Sequence, residues 1–306
     1  MSSQKDMLHS SAKEYNIIKK GLNSPFSCEV IMNHYEIIES LTGRKREEIT
    51  FSDNGFLSYG YIIGDGEIIF KFKKNPTVSY KNEIELLELL NAQNFSINLQ
   101  KVAFVSPDDC YVGLYGVKGF CIENKELTNE IKRSVGTQIG LFLKELHSLK
   151  PDCNNLCSLE FELTAWQERF LKSLPVISRY FTESETAKLK SFMLEEVPAK
   201  LSSLGENYVF SHADLGEGNI FLDSENKVGI IDFNESGYAD EAADFMDIED
   251  DTICEATLLS YGADDILREK VRIRRLLRPL FVIETYAVRG DEAVQKYIER
   301  IKKTLI

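Results

Sequence analysis

Asp214, Asn219 and Asp232 have the side-chain types and spacing that a metal-assisted transfer reaction requires. Asn219 follows Asp214 by five residues, and Asp232 comes thirteen later. Together they supply two oxygen ligands for a hard cation and leave one carboxylate free. Mg²⁺ takes few protein oxygens and completes its shell with substrate phosphate and water. The free carboxylate then accepts the proton of an attacking hydroxyl. Phosphoryl transfer asks for that set. Taken singly, each residue also fits a turn-rich β-hairpin with solvated acids, and only the set in this order argues for chemistry.

Short strands must aim these groups. Tyr208-Val209-Phe210, Ile220-Phe221-Leu222 and Val228-Gly229-Ile230-Ile231 are β-prone apolar runs, with Ser224-Glu225-Asn226 as a turn between the last two. His212, Asp214 and Asn219 fill the loop between the first two runs, and Asp232 ends the third. Side chains at the ends of such rods can converge on one point.

His212-x-Asp214-x-x-x-x-Asn219 followed by Ile231-Asp232-Phe233 resembles the aminoglycoside phosphotransferase family, small-molecule kinases with a protein-kinase-like fold. Tyr238 to Phe245 resembles the family's Asp-Pro-x-x-Asp-Phe run, with Glu241 where proline is usual. The likeness is greatest to the 2″-aminoglycoside phosphotransferases and begins near Val30. It implies an α+β fold of two lobes: a small antiparallel-sheet N-lobe, residues 30–114, and a mostly helical C-lobe, residues 115–306. Residues 1–29 are an unassigned extension. It implies further that Asp214 is the catalytic base, that Asn219 and Asp232 hold Mg²⁺, and that ATP or GTP is the donor. The implied acceptor is a hydroxyl of a cationic aminoglycoside, so that phosphorylation gives antibiotic resistance. A kinase of choline, a sugar or an amino acid, or a non-catalytic nucleotide-binding protein, are the alternatives. Ala213 stands where the family has glycine, and Asn234-Glu235 replace its Gly-Asp. His212 is expected to support the loop by hydrogen bonding.

In the N-lobe, Ile31 to Leu41 reads as a helix ended by Thr42-Gly43. Tyr59 to Ile63 and Glu67 to Phe72 read as strands of a meander. Asn54 to Ser58 occupies the place of the loop that covers nucleotide phosphates, which makes Ser58 a nucleotide-binding candidate. Lys71 lies mid-strand between Phe70 and Phe72, where a lysine must be paired or reach a ligand. By resemblance it contacts the α- and β-phosphates. In a helix from Tyr80 to Leu90, Glu83 shares the face of Leu86, Leu87 and Leu90, and a carboxylate there wants a cation. Lys71 is the available partner. Val102 to Val105 and Tyr111 to Tyr115 complete the sheet. Gly113 to Gly119 reads as a hinge whose backbone, including Tyr115, meets the purine edge in the family.

In the C-lobe, Asn129 to Leu149 is an amphipathic helix ending in a histidine, His147, read as structural. Leu163 to Leu174, and Ala187 to Leu204 interrupted at Pro198, are further helices. Asp244 to about Ser260 reads as one helix with an acidic first half. Asp247, Glu249, Asp250 and Asp251 there are candidates for binding a cationic substrate. The basic helices beyond, with Lys270, Arg272, Arg274, Arg275 and Arg278, can pair internally.

The net charge of −13 argues against nucleic acid and anionic membranes as partners and suits a cationic ligand. The six cysteines form no Cys-x-x-Cys pair, so reduced thiols in a cytoplasmic protein are expected rather than a zinc site. No apolar run reaches the roughly twenty residues of a membrane span.

Overall fold

The structure is a computed structural model and describes residues 28–53, 57–152, 155–287 and 291–305. Residues 1–27, most of the expected extension, lie outside the described residues, as do Asn54, Gly55 and Phe56 of the expected phosphate loop. The expected two-lobe α+β architecture is present. The chain opens on α1 (Cys28–Thr42), which turns Ile38 inward and ends at Gly43 in a left-handed conformation. Five antiparallel strands follow in the order β1-β2-β3-β6-β5: β1 (Ile49–Ser52), β2 (Ser58–Ile63), β3 (Ile68–Lys73), β5 (Lys101–Val105) and β6 (Tyr111–Tyr115). Strand β3 is central, and Lys71 on it faces Gly60 and Val112 across the ladder. Period-two alternation buries Phe70 and Phe72 on one face, against Tyr61 and α1, and turns Lys71 to the other. That other face is covered by α2 (Lys81–Ala92), whose inward residues are Glu83, Leu87 and Leu90.

A second sheet carries the chemistry-bearing loops. Its order is β4-β10-β9-β7, from β4 (Asn98–Leu99), β7 (Phe120–Cys121), β9 (Ile220–Leu222) and β10 (Val228–Ile230). A separate ribbon joins β8 (Tyr208–Ser211) to β11 (Gly237–Asp240). The two-residue strands β4 and β7 and the pairing of β11 were too short to carry a periodic signal in the sequence. They matter nonetheless, because β4 pairs in parallel with β10 and fixes the segment after α2 to the strand that leads into Asp232.

The helices of the C-lobe are α3 (Asn129–Ser148), α4 (Leu159–Ile177), α5 (Glu183–Ser191), α6 (Val197–Leu204), α7 (Asp251–Tyr261), α8 (Asp265–Ala287) and α9 (Asp291–Leu305). Two expectations are corrected here. The stretch from Asp244 to Asp250 is not helical beyond one 3₁₀ turn, Ala243–Phe245. Asp250 instead caps α7, accepting the backbone N–H groups of Thr252 and Ile253 at 2.9 and 3.0 Å. The break expected at Pro198 falls earlier, in a π turn over Phe192–Glu196, and Pro198 sits in the first turn of α6 where its missing N–H costs nothing. Gly136 and Gly140 let α3 lie directly against α7; a Cβ at either would overlap the α7 backbone.

One apolar core runs from Leu87 and Leu90 of α2 through Val112 and Leu114 of β6 to Phe142 of α3 and Ile220, Leu222, Val228 and Ile230. Strands β6, β9 and β10 therefore rest on one packed body, while Phe70 and Phe72 of β3 join a second cluster with Ile38 of α1. Among the described residues no helix is long and apolar enough to cross a membrane. Cys110, Cys121, Cys157 and Cys254 are free thiols.

Candidate active site

Lys71 and Glu83 meet where the sheet face and the helix face oppose each other. Nζ of Lys71 lies 2.6 Å from Oε1 of Glu83 and 3.1 Å from Oδ1 of Asp232. Burial works to lower the lysine's pKa, but the two carboxylates outweigh it and hold the ammonium above its ordinary value. The lysine thus bridges the N-lobe sheet to the end of β10. Asp232 adopts a left-handed φ of 66°, which carries its side chain out of the strand line. Its N–H donates to Oε1 of Gln100, and Oδ1 also accepts the side-chain amide of Asn234 at 2.6 Å.

Asp214 and Asn219 lie in the loop between β8 and β9. The Asn219 amide donates to the Asp214 carbonyl at 2.8 Å and to its Oδ2 at 3.0 Å. The N–H of Ile231 donates to the carbonyl of Asn219 at 3.1 Å, so the loop and the segment that carries Asp232 are held together. Burial pushes the Asp214 carboxyl up to about 7, reinforced by the charges of Asp247 and Asp232; the Asn219 bond and Arg278 act against it. A carboxyl poised there suits proton acceptance near neutral pH.

Both ring nitrogens of His212 are spent inside the loop. Nε2–H donates to the carbonyl of Ile231 at 3.0 Å, and Nδ1 accepts the N–H of Asp214 at 3.3 Å. Complete burial keeps the ring neutral by lowering its pKa. Beneath it, Asp244 accepts the N–H groups of His212 at 3.0 Å and Ala213 at 2.7 Å. His147 bonds the same carboxylate at 3.0 Å and the hydroxyl of Tyr261 at 2.9 Å. Although burial works against it, these hydrogen bonds and charges hold the Asp244 carboxylate below its usual range. Asp244 was not among the expected site residues, although it is the second aspartate of the run from Tyr238 to Phe245. Its two amide bonds fix Ala213 at φ 67°, the left-handed conformation that glycine usually supplies.

Other expected residues lie nearby or apart. Ser58 bonds the Tyr80 hydroxyl at 2.7 Å and lines a cavity of about 180 Å³ with Asn234 and Glu235, next to Asp232. Tyr115 ends β6 with its ring half exposed. Asp247 abuts the loop between β8 and β9 at Gly216, where a Cβ would lie 3.6 Å from its own Cβ, and its Oδ1 is 2.6 Å from Nε of Arg278. Glu249 meets Lys296 and the Tyr297 hydroxyl, Asp250 meets Lys132 at 2.7 Å, and Asp251 meets Arg275 at 2.8 Å. Each of the four acids has a basic partner.

Residues 48–276 match the model of the phosphotransferase enzyme family, most of the chain. The chain belongs to this family. It is a phosphotransferase. Among solved structures the chain is similar to the GDP complex of wild-type aminoglycoside 2′-phosphotransferase-IIIa, with a TM-score of 0.68 at 16% identity over 89% of this chain and 97% of that one. It is similar to the gentamicin complex of APH(2″)-IIa, with a TM-score of 0.65 at 19% identity over 91% and 97%. The microcompartment-associated aminopropanol kinase follows with a TM-score of 0.62 at 17% identity over 87% and 94%. At these identities the likeness establishes the fold. Within the family's fold, the residues present suit a hard cation. Asn219 keeps its amide oxygen out of its bonds to Asp214, and the Asp232 side chain is 39% exposed. Among the described residues no three His, Cys, Asp or Glu side chains converge to hold a metal by themselves. A phosphotransferase site of this kind leaves most of the coordination to the nucleotide and water.

Proposed function

We propose that the chain transfers the γ-phosphoryl group of ATP or GTP to a hydroxyl of a small molecule, with Mg²⁺ held by Asn219 and Asp232. When bound, the metal neutralises charge on the phosphates. Lys71, anchored by Glu83, positions the α- and β-phosphates. Asp214 orients the acceptor hydroxyl and takes its proton as the new O–P bond forms; the bond from γ-phosphorus to the bridging oxygen breaks, and the nucleoside diphosphate leaves with those electrons. His212 and Asp244 keep the loop rigid. Catalysis is then mostly positioning and electrostatics. The observation that carries this reading is the facing pair of clusters: Lys71–Glu83–Asp232 on one side, Asp214–Asn219 on the other.

Two acceptor classes fit the fold. An aminoglycoside acceptor, with resistance as the consequence, is supported by the motif resemblance and by neighbours solved with gentamicin and with kanamycin. In that reading Asp247, Glu249, Asp250 and Asp251 meet ammonium groups. The second class is another hydroxylated metabolite. The basic partner at each of those four acids favours it, because a polycation would have to displace Arg278, Lys296, Lys132 or Arg275. A coupled assay for nucleoside diphosphate release, run with ATP and GTP separately, tests the kinase reading. Release that depends on an added alcohol is the expected result. Absence of nucleotide binding by the intact chain would overturn the roles of Lys71, Asn219 and Asp232 together.

A further inference from the structure

We propose that Arg278, steered by Asp247, is an acceptor subsite beside Asp214 that takes a small hydroxylated molecule by its carboxylate. This rests on the kinase reading above and names the acceptor class of that site. The two side chains stand at the edge of the catalytic loop. Asp247 packs on Gly216, two residues after Asp214, and Arg278 reaches it from α8.

The two arginines that α8 sends to this segment are used differently. Arg275 donates to the carbonyls of Ile248 at 3.1 Å and Glu249 at 2.9 Å and pairs with Asp251, so its fork is filled by the segment it holds. Arg278, one turn on, makes a single ion pair among the described residues. Its Nε lies 2.6 Å from Oδ1 of Asp247, yet neither atom makes an aligned hydrogen bond although both are buried. Asp247 thus pins the guanidinium through Nε, and the two terminal nitrogens of the fork keep no hydrogen-bond partner among the described residues. Arginine's planar donor fork matches a carboxylate bidentately. Arg278 keeps 29% of its side chain exposed, and its charge is felt at the Asp214 carboxyl. A carboxylate seated on it brings a hydroxyl a few bonds away to the base.

The test uses the full chain loaded with Mg²⁺ and ATP or GTP. Acceptor-dependent release of nucleoside diphosphate is measured with L-homoserine, D-glycerate and D-gluconate. Their uncharged counterparts, L-homoserine amide, glycerol and D-glucose, are run beside them, with choline and kanamycin as cationic acceptors. The expected result is turnover with at least one carboxylate and a loss of about tenfold or more with its uncharged partner. Arg278→Met is expected to raise the KM for that carboxylate by about tenfold or more and leave nucleotide affinity unchanged, and Arg278→Lys, which keeps Asp247 paired, to recover part of the loss. Turnover with kanamycin or choline and none with any carboxylate would overturn the subsite while leaving the kinase reading intact. So would an unchanged KM in a folded, nucleotide-binding Arg278→Lys or Arg278→Met variant. Failure of the wild-type chain to bind nucleotide would overturn the kinase reading, and the subsite with it.

Discussion

At the scale of single residues, the site sets two costs against its function. The Asp214 carboxyl is pushed up to about 7 by burial first and then by Asp247 and Asp232. In the unfolded chain it titrates near its ordinary value, so between about pH 4 and pH 7 the folded state binds the extra proton. Stability attributable to this group therefore falls as pH rises through that window. Asp214→Asn is expected to melt higher than the wild type at pH 7.5 by several degrees in metal-free buffer, with the gap closing toward pH 4. The same variant should lose turnover by about 10² or more and keep nucleotide binding. Calorimetry at both pH values and an ATP titration check the two halves. The second cost is the buried Lys71–Glu83 pair. Lys71→Met leaves Glu83, 2% exposed, without its cation and is expected to cost about 3 kcal/mol. Adding Glu83→Leu should return most of that stability and none of the activity. Denaturant melts and the coupled assay separate these outcomes; a double variant no more stable than the single would mean that packing, not charge, sets the loss.

At the scale of elements, close contact between helices holds the catalytic loop in place. Gly136 and Gly140 bring α3 against α7, and His147 at the end of α3 reaches across to Asp244 under the loop. Gly140→Ala gains helix propensity of about 1 kcal/mol but drives a methyl into the carbonyl of Thr257 and the hydroxyl of Ser260. Overpacking costs about 1–3 kcal/mol and here should win. The variant is expected to melt several degrees lower. Because the shift displaces the support of Asp244, kcat should fall more than nucleotide affinity does. A higher melting temperature would show that α7 yields freely to the added methyl.

Across the whole molecule, a buried charge network ties distant parts of the chain to the ribbon below the site. Asp240, 3% exposed at the end of β11, takes Lys270 at 2.8 Å and lies 3.4 Å from Arg274; Arg274 also reaches Glu162 of α4 at 2.7 Å. Removing the shared anion leaves two buried cations short of charge. Asp240→Ala is expected to cost about 3–5 kcal/mol and to loosen α8, which also carries Arg275 and Arg278. Hydrogen exchange localised to α8 would register it, and exchange unchanged there would confine the role of Asp240 to its own strand.

The sequence by itself determined where the proposed catalytic residues lie along the chain. Asp214 and Asn219 lie in the loop between β8 and β9, and Asp232 follows β10 by two residues, so local pattern alone placed them beside strand tips. Period-two and 3.6-residue patterns likewise put Lys71 and Glu83 on facing surfaces, and the structure closes them to 2.6 Å. Only the tertiary structure decided what the acidic stretch after Asp244 does. Its composition matched a helix with a charged face, but Asp250 is spent as a cap, and the other acids meet cations that arrive from α8 and α9. Those partners come from 24 to 47 residues away along the chain, beyond the reach of any local period. The support that Asp244 gives the loop was hidden for the same reason: hydrogen bonds spanning 31 and 32 residues leave no pattern in neighbouring side chains.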